Sequence, residues 1–514
     1  MLHEPGAPYK LPESELSPGQ TLVFEHPQDA SPKARLTRIT ASKAWVLPVA
    51  IFLVSALILS LISWERVTKH SEDTHFVYLA NTFNSMLLAP VSEEAAKRRE
   101  GKVAFELERT PHHRNDWASY WDLTLKDGEQ LRGTWMDEQG TGRFRLLGSN
   151  EAVYVERASI NQRDSIRRYF VSFPPGPAFL MMPLAAIQGY EANDVAFTIF
   201  FAALNIMLVF LLLRRLSVGG RSARSLKDNL WLTLLFGFGT VHFWSAVLGQ
   251  VWFTALIIGV TFSLLYIYCA IDTRHPFWAG LFLALAFATR TPLLFTVVFF
   301  AGFLFFPGGH FLRRDQWKDA AKKLALFCIP CLIIGLSLLW MNYLRFESLS
   351  EFGHRYLAGG TIGRIKSYGL FNIQFVSKNL TAMFTLLPRF QPEYPYILIS
   401  KHGISLLLTT PAYIYLFRPL ARQWRADKFW WALLWVTVAV TAVPHLLYQN
   451  TGYEQFGYRF SLDYSPYLIL LLAVGRRPLS WVFKAAVLAG LVVNAFGAIT
   501  FKRFGQYYSD DFFV

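Results

Sequence analysis

An acidic pair, Glu72 and Asp73, stands a short way beyond the first long apolar run, at the head of a stretch with helical spacing. A carboxylate held at a membrane boundary can take a proton from an acceptor hydroxyl, which is general-base chemistry. The same residue type at a helix start can instead cap free backbone amides. Asp116, Asp122 and Asp463 are weaker rivals, and Asp463 sits at helical spacing from Arg459, where an ion pair would form. A second group is cationic or imidazole-bearing: Arg290, His354, Arg355 and Arg459, with His242, His402 and His445. Gathered on one face, such groups would hold a phosphate or pyrophosphate. Taken singly, each could equally be a side chain snorkelling to an interface. His75 beside the acidic pair and Gln250 in a Gly-Gln turn complete the candidate pocket.

Whether these groups meet depends on the elements that carry them. The chain has 514 residues, 53% hydrophobic and 16% aromatic, a mixture suited to a helical bundle in lipid. Unpaired backbone groups cannot be hydrated in a bilayer core, so each crossing needs about 20 apolar residues. Spans are expected at Trp45–Ile62, Val195–Leu213, Leu230–Leu248, Val251–Ile271, Phe277–Ala288, Pro292–Phe306, Leu324–Tyr343, Gly403–Phe417, Phe429–Leu447, Pro466–Val474 and Trp481–Thr500. The expected class is an all-α polytopic membrane protein of about eleven spans, with interfacial helices and a small β insertion.

The formal charge of +14 does not point to nucleic acid, because Lys and Arg fall between the apolar runs, as topology signals do. Cys269, Cys328 and Cys331 all lie in apolar stretches. The pair Cys328 and Cys331 lacks companion ligands, so both read as small apolar packing residues rather than a metal site. Residues 1–43 are polar and aperiodic, and read as a disordered cytoplasmic tail rather than a signal peptide.

Loop charge sets the orientation. Splitting Phe277–Phe306 into two spans at Arg290-Thr291-Pro292 puts Lys43, Arg214–Lys227, Arg313–Lys323, Arg418–Lys428 and Arg476-Arg477 on the cytoplasmic side. A transmembrane domain over 44–500 then has a first outer loop at 63–194, a second at 345–402, and an outer tail at 501–514. The first loop should hold a surface helix at Asp73–Leu88, a β insertion at 101–160 with a Lys126-Asp127-Gly128-Glu129 turn, and an interfacial helix from Pro174 to Ile187. In the second, an amphipathic helix is expected around Ile373–Leu387, and Asn379-Leu380-Thr381 fits a glycosylation sequon. The candidate cations fall at outer ends of spans or in outer loops.

No Walker loop, H-E-x-x-H or G-x-S-x-G is present. The order SEDTHFVYLANTF (Ser71–Phe83), SFPPGPAFLMMP (Ser172–Pro183) and LLLRRL (Leu211–Leu216), followed by ATRTPLLF, RFESLSEFGHRYL and FGYRFSLDYSP, resembles the GT-C superfamily of membrane glycosyltransferases. Within it the chain is most similar to bacterial members related to the protein mannosyltransferase and aminoarabinose transferase group.

That resemblance implies a polyprenyl-phosphate sugar donor, transfer with inversion on the outer face of the inner membrane, and a lipid, glycan or protein acceptor. It implies a catalytic acid at Asp73. Related enzymes often have Asp followed by Glu where this chain has Glu72 then Asp73, so both stay open. Arg355, Arg459, His354 and Arg290 would then stabilise the departing phosphate. Some relatives use a divalent cation, for which this sequence shows no ligand set. A transporter or flippase is the alternative in another class, and would line a midplane path with polar residues. A non-catalytic scaffold of the same fold is a third.

Overall fold

The computed structural model describes residues 45–113, 115–136, 142–149, 151–357, 365, 367–417, 428–475 and 477–510. The expected tail at 1–43, Lys43, Arg476, nearly all of the basic run Arg418–Lys428 and the last residues of the outer tail lie outside them.

The first helix, α1 (Val46–Ser63), carries no charge and turns Leu53, Leu57 and Leu61 outward. After α2 (His75–Leu88) and α3 (Glu93–Arg99) comes an antiparallel sheet. Its strands are β1 (Trp117–Thr124), β2 (Gln130–Trp135), β3 (Arg143–Leu146), β4 (Ala152–Tyr154) and β5 (Ile166–Val171), in the order β4-β3-β2-β1-β5. The helices α4 (Gly176–Gln188), α5 (Asp194–Val218), α6 (Leu226–Phe238), α7 (His242–Ala246), α8 (Val251–Ala270), α9 (Pro276–Phe287), α10 (Val297–Phe305) and α11 (Trp317–Phe346) follow. Then come α12 (Phe375–Leu380), β6 (Arg389–Phe390), β7 (Ile397–Ser400), β8 (His402–Ile404), α13 (Leu406–Thr409), α14 (Lys428–Leu447), β9 (Gln455–Gly457), α15 (Ser465–Val474), α16 (Trp481–Thr500) and β10 (Tyr508–Ser509).

Among the described residues six helices are long and apolar enough to cross a bilayer: Val46–Thr68, Asp194–Val218, Val251–Thr273, Arg314–Phe346, Lys428–Leu447 and Trp481–Thr500. Three shorter apolar helices join them, at Pro276–Phe287, Thr291–Phe305 and Ser465–Val474. The architecture is that of a helical membrane protein. On α11, Leu332, Ile333, Leu336 and Trp340 are all more than half exposed, a row that water would not tolerate and acyl chains would. In contrast α8 is buried almost all round.

Two expected spans are not single helices. The segment Leu230–Leu248 divides at Gly239 into α6 and the short α7. The segment Gly403–Phe417 begins as strand β8, then forms one turn of α13 and a 3₁₀ stretch from Pro411 to Leu416, because Pro411 cannot donate the amide that would continue the helix. The division of Phe277–Phe306 is present at the expected Arg290-Thr291-Pro292. Arg290 is extended (φ −149°, ψ 117°), and a 3₁₀ turn, Thr291–Thr296, leads into α10. The tight approach of α9 to α11 uses Gly280, where a Cβ would lie 2.0 Å from the Phe327 carbonyl oxygen, and Cys331 donates to the Gly280 carbonyl at 3.3 Å.

The sheet occupies later residues than the expected 101–160: it begins at Trp117 and closes with β5, which pairs with β1 rather than β4. Its Lys126-Asp127-Gly128-Glu129 turn joins β1 to β2, with Gly128 at φ +95° and its amide bonded to the Leu125 carbonyl. One face packs Ala118, Tyr120 and Phe170 against Phe346 and Tyr356. Arg345, read in sequence as the start of an outer loop, is instead buried in the last turn of α11 and donates to the Val171 carbonyl at 2.7 Å. The helix α2, expected to lie along a membrane surface, is buried over most of its circumference against α4 and the loop before β1. The sequon residue Asn379 is also buried. Its side-chain amide donates to the Leu446 and Tyr448 carbonyls at 2.9 and 2.8 Å, which leaves no room for a glycan on the folded chain.

Candidate functional site

The turn between α7 and α8 is the hinge on which the site is built. Gly249 (φ +64°) lets the chain pass Val195, and Gln250 follows in the left-handed half of backbone space at φ +54°. A side chain held there stores strain, which surrounding contacts must fix. They do so on both flanks: the Gln250 amide donates to Ser71 Oγ at 3.0 Å, and Ser71 in turn donates to the Asp194 carboxylate through its amide (2.7 Å) and hydroxyl (2.5 Å). The Val251 amide donates to the Asp73 carbonyl at 3.1 Å, which ties the start of α8 to the start of α2.

This turn presents two donors to two carboxylates. Gln250 Nε2 donates to Asp73 Oδ2 at 2.9 Å, and Trp252 Nε1 donates to Asp116 Oδ2 at 3.0 Å. Asn115 Nδ2 completes the first pair by donating to Asp73 Oδ1 at 3.2 Å, with His113 Nε2 at 3.8 Å from the same oxygen. Burial raises the pKa of Asp73, against the lowering effects of the Asn115 hydrogen bond and of nearby His113 and Lys502. Burial likewise raises Asp116, against the Trp252 hydrogen bond and the charge of Arg459. Asp116 also sits at φ +54°, so both site turns are strained where a carboxylate or its donor is aimed. Glu72 is exposed, and only its carbonyl takes part, accepting from His113 Nε2 at 3.0 Å.

Beneath the carboxylates lies an aromatic floor. The His75 ring is stacked on Trp117 at 3.7 Å and 10°, and its Nε2 donates to the Asn115 carbonyl at 3.0 Å. Burial lowers the His75 pKa to about 3, so this imidazole stays neutral and positions Asn115. The double proline of the Ser172–Pro183 stretch aims α4 at the same region. The Gly176 amide donates to the Ala288 carbonyl at 2.7 Å, and a Cβ there would meet that oxygen at 2.8 Å and Thr289 Oγ1 at 2.5 Å. Thr289 can rotate, but the Ala288 backbone cannot move away. Gly176→Ala is therefore expected to lower stability by about 1–3 kcal/mol, read as a lower midpoint of thermal unfolding for the full chain in detergent.

The cations gather next to this cluster. Arg290 forms a two-point ion pair with Asp463 at 2.7 and 2.8 Å, and His445 Nε2 lies 2.9 Å from Asp463 Oδ2. The expected Arg459–Asp463 pair does not form: Asp463 turns to Arg290 and His445 because the 3₁₀ turn Arg459–Asp463 breaks the helical register that would have aligned the two. Burial acts to raise the Asp463 pKa, yet Arg290 and His445 outweigh it and hold it down at about 2.

Arg459 is left differently disposed. It is 5% exposed, packs over Phe253 at 5.1 Å and Phe460 at 5.7 Å, and its Nε and Nη1 have no hydrogen-bond partner. Burial, with the neighbouring charge of Arg290, lowers its pKa to about 9, so it remains a cation at neutral pH, facing Asp116.

The structure thus brings together Asp73, Asp116, Gln250 and His75, and beside them Arg290, Arg459, His445 and Asp463. Arg355 is 58% exposed and pairs with Glu351 at 3.4 Å, and His354 packs on Phe352. Both stand in a turn whose next residues meet β1, where Leu357 bridges to Ala118. His402 lies on β8 with Nδ1 at 2.7 Å from Thr451 Oγ1, and His242 is buried in α7 against the Gly237 carbonyl at 3.2 Å. Asp122 is engaged by Arg168 at 2.8 Å within the sheet. A search for charged groups could not have found Asn115 and Trp252, which place the carboxylates and carry no charge.

The donors around Asp73 and Asp116 are N–H groups, a set that favours an ionised carboxylate and leaves a cation short of oxygen ligands. Among the described residues no three His, Cys, Asp or Glu side chains converge as metal ligands. The residues present therefore do not fit a bound divalent cation. No family model, curated protein or solved structure matches this chain.

Proposed function

We propose that the chain is a glycosyltransferase of GT-C type that moves a sugar from a polyprenyl-phosphate donor to an acceptor hydroxyl on the outer face of the inner membrane. One observation carries the reading: the strained Gln250 and the first turn of α8 hold one buried carboxylate, Asp73, and one partly buried carboxylate, Asp116, beside an arginine with unbonded guanidinium nitrogens. The geometry suits displacement at an anomeric carbon. Asp73 would take the proton of the attacking hydroxyl, positive charge would develop on the sugar ring, and negative charge on the leaving phosphate would fall to Arg459. Arg290 is a poorer ligand for that phosphate, since two of its three guanidinium nitrogens are committed to Asp463. Asp116, held by Trp252 and within electrostatic reach of Arg459, would stabilise the positive ring in the transition state. A transporter would need polar side chains along a path through the membrane, whereas these converge beside the turn at the head of α8.

Glu72 is a weaker candidate than Asp73 because its side chain is exposed to water, whereas the Asp73 carboxylate is held in place by Gln250 and Asn115. The base must be ionised to act, so transfer should fall as pH drops through the Asp73 pKa, which burial sets above that of an ordinary carboxylate. Asn115→Ala removes a hydrogen bond that favours the ionised form. It should move the acid limb of the kcat/KM profile to higher pH, with the plateau reached again on the alkaline side. An acid limb that stays where it was would show that Asp73 is not the titrating base.

A further inference from the structure

A cleft of about 280 Å³ opens on another side of Gln250, between the turn after α1 and the segment that follows α16. Arg66, Lys69, Lys502 and Arg503 line it, with Gln250 in its wall. Arg503 is spent on structure, donating to the Ile62 carbonyl at 3.0 Å and to the Ser63 carbonyl at the end of α1. The other three are less fully used. Arg66 donates through Nη2 to the Phe501 carbonyl at 2.7 Å, while its Nη1 is buried without a partner. Lys69 is two-thirds exposed and lies 3.9 Å from Glu65, a loose pairing, and Lys502 pairs with Glu454. The carboxylates in the lining, Glu65 and Glu72, are exposed to water. The cleft therefore presents a converging set of cations to a compact anion.

We propose that this cleft binds a phosphate group carried by the acceptor. Its position gives the binding a purpose. Gln250 both lines the cleft and donates to Asp73, and the positive charge of Lys502 is felt at the Asp73 carboxylate. A phosphorylated acceptor anchored by Arg66, Lys69 and Lys502 would bring a neighbouring hydroxyl to Asp73, while Arg459 serves the donor phosphate. Two anion sites then adjoin one base. The role given to the bound group rests on the transferase reading above; the binding itself does not.

The test is equilibrium binding of dihexanoyl phosphatidic acid to the full chain in a neutral detergent, with dihexanoyl phosphatidylcholine and inorganic phosphate as competitors. Wild type should bind phosphatidic acid in preference to phosphatidylcholine, and Lys502→Gln and Lys69→Glu should each weaken it about tenfold, as loss of a charged hydrogen bond does. Lys126→Gln and Lys126→Glu, in the exposed β1–β2 turn, are the controls for the net-charge changes of the two variants. Because Lys69 is exposed, misfolding cannot account for its effect. Competition by inorganic phosphate would assign recognition to the phosphate alone. Binding of phosphatidic acid that inorganic phosphate does not displace would assign it to a lipid-borne phosphate. Equal affinity in wild type and both variants, or phosphatidylcholine binding as tightly, would overturn the proposal. Phosphate binding that persists in a chain found not to transfer sugar would count against the transferase reading and not against the cleft.

Discussion

Asp73→Asn is expected to lower sugar transfer by roughly 10²–10⁴-fold, the contribution of a positioned general base, while donor binding stays near wild type. The amide keeps the volume and one acceptor oxygen for Gln250 or Asn115, so the turn should persist, but it cannot take a proton. The variant also has a readout free of activity. For a buried acid whose folded pKa is raised, the native state holds more protons than the unfolded chain between the two pKa values. Stability is thus lost as pH rises through that window, and above the folded pKa the penalty is complete. Asn removes it, so Asp73→Asn should melt no lower than wild type at neutral pH, and relatively higher at alkaline than at acid pH. A variant that lost activity because it had unfolded would show the opposite.

Arg459→Ala is expected to cost about 10²–10³-fold in turnover, in the range found when one preorganised donor to a developing negative charge is removed. The loss should appear in kcat more than in KM if the guanidinium acts on the leaving phosphate as charge develops, and in KM alone if it only binds the donor. Arg459→Lys keeps the charge and loses the planar fork, so it should recover part of the rate and not all. Arg290→Ala makes a useful contrast. It strips Asp463 of its ion-pair partner within a buried cluster, so its main effect should be on folding, in the range of about 3–5 kcal/mol for breaking a buried pair. The two arginines look alike in the sequence. Their surroundings separate them: one is neutralised by Asp463 and the other packs on aromatic rings with unbonded nitrogens.

The parts of the fold that could be read from the chain were those governed by long apolar runs and by prolines. Six helices of spanning length coincide with expected spans, and the break at Arg290-Thr291-Pro292 followed from the charges of the loops and from Pro292. Short segments misled, because a mean apolar character does not distinguish a helix from the strand, single turn and 3₁₀ stretch that residues His402–Leu416 adopt. Strand β5 was missed since Arg167 and Arg168 interrupt its apolar alternation. The structure accounts for both, with Arg168 buried on Glu106 and Asp122 and Arg167 bonded to Ser119. At the site, ionisable residues drew notice by type, so Asp73, Asp116, Arg290 and Arg459 were all singled out. Their grouping was not legible, because it depends on the backbone of one turn and on neutral donors: Gln250 appeared only as part of a Gly-Gln turn, and Asn115 and Trp252 not at all.

The most direct test of the account follows the donor itself. Full-length chain in proteoliposomes would be supplied with polyprenyl phosphate carrying a radiolabelled hexose, together with an envelope fraction as the source of acceptor, and label leaving the lipid would be counted. The account expects release of label by wild type, with most of that release abolished by Asp73→Asn and by Arg459→Ala in proteins that melt normally. Label that stays on the lipid with wild type across a panel of hexoses, or that leaves equally fast with Asp73→Asn, would contradict it.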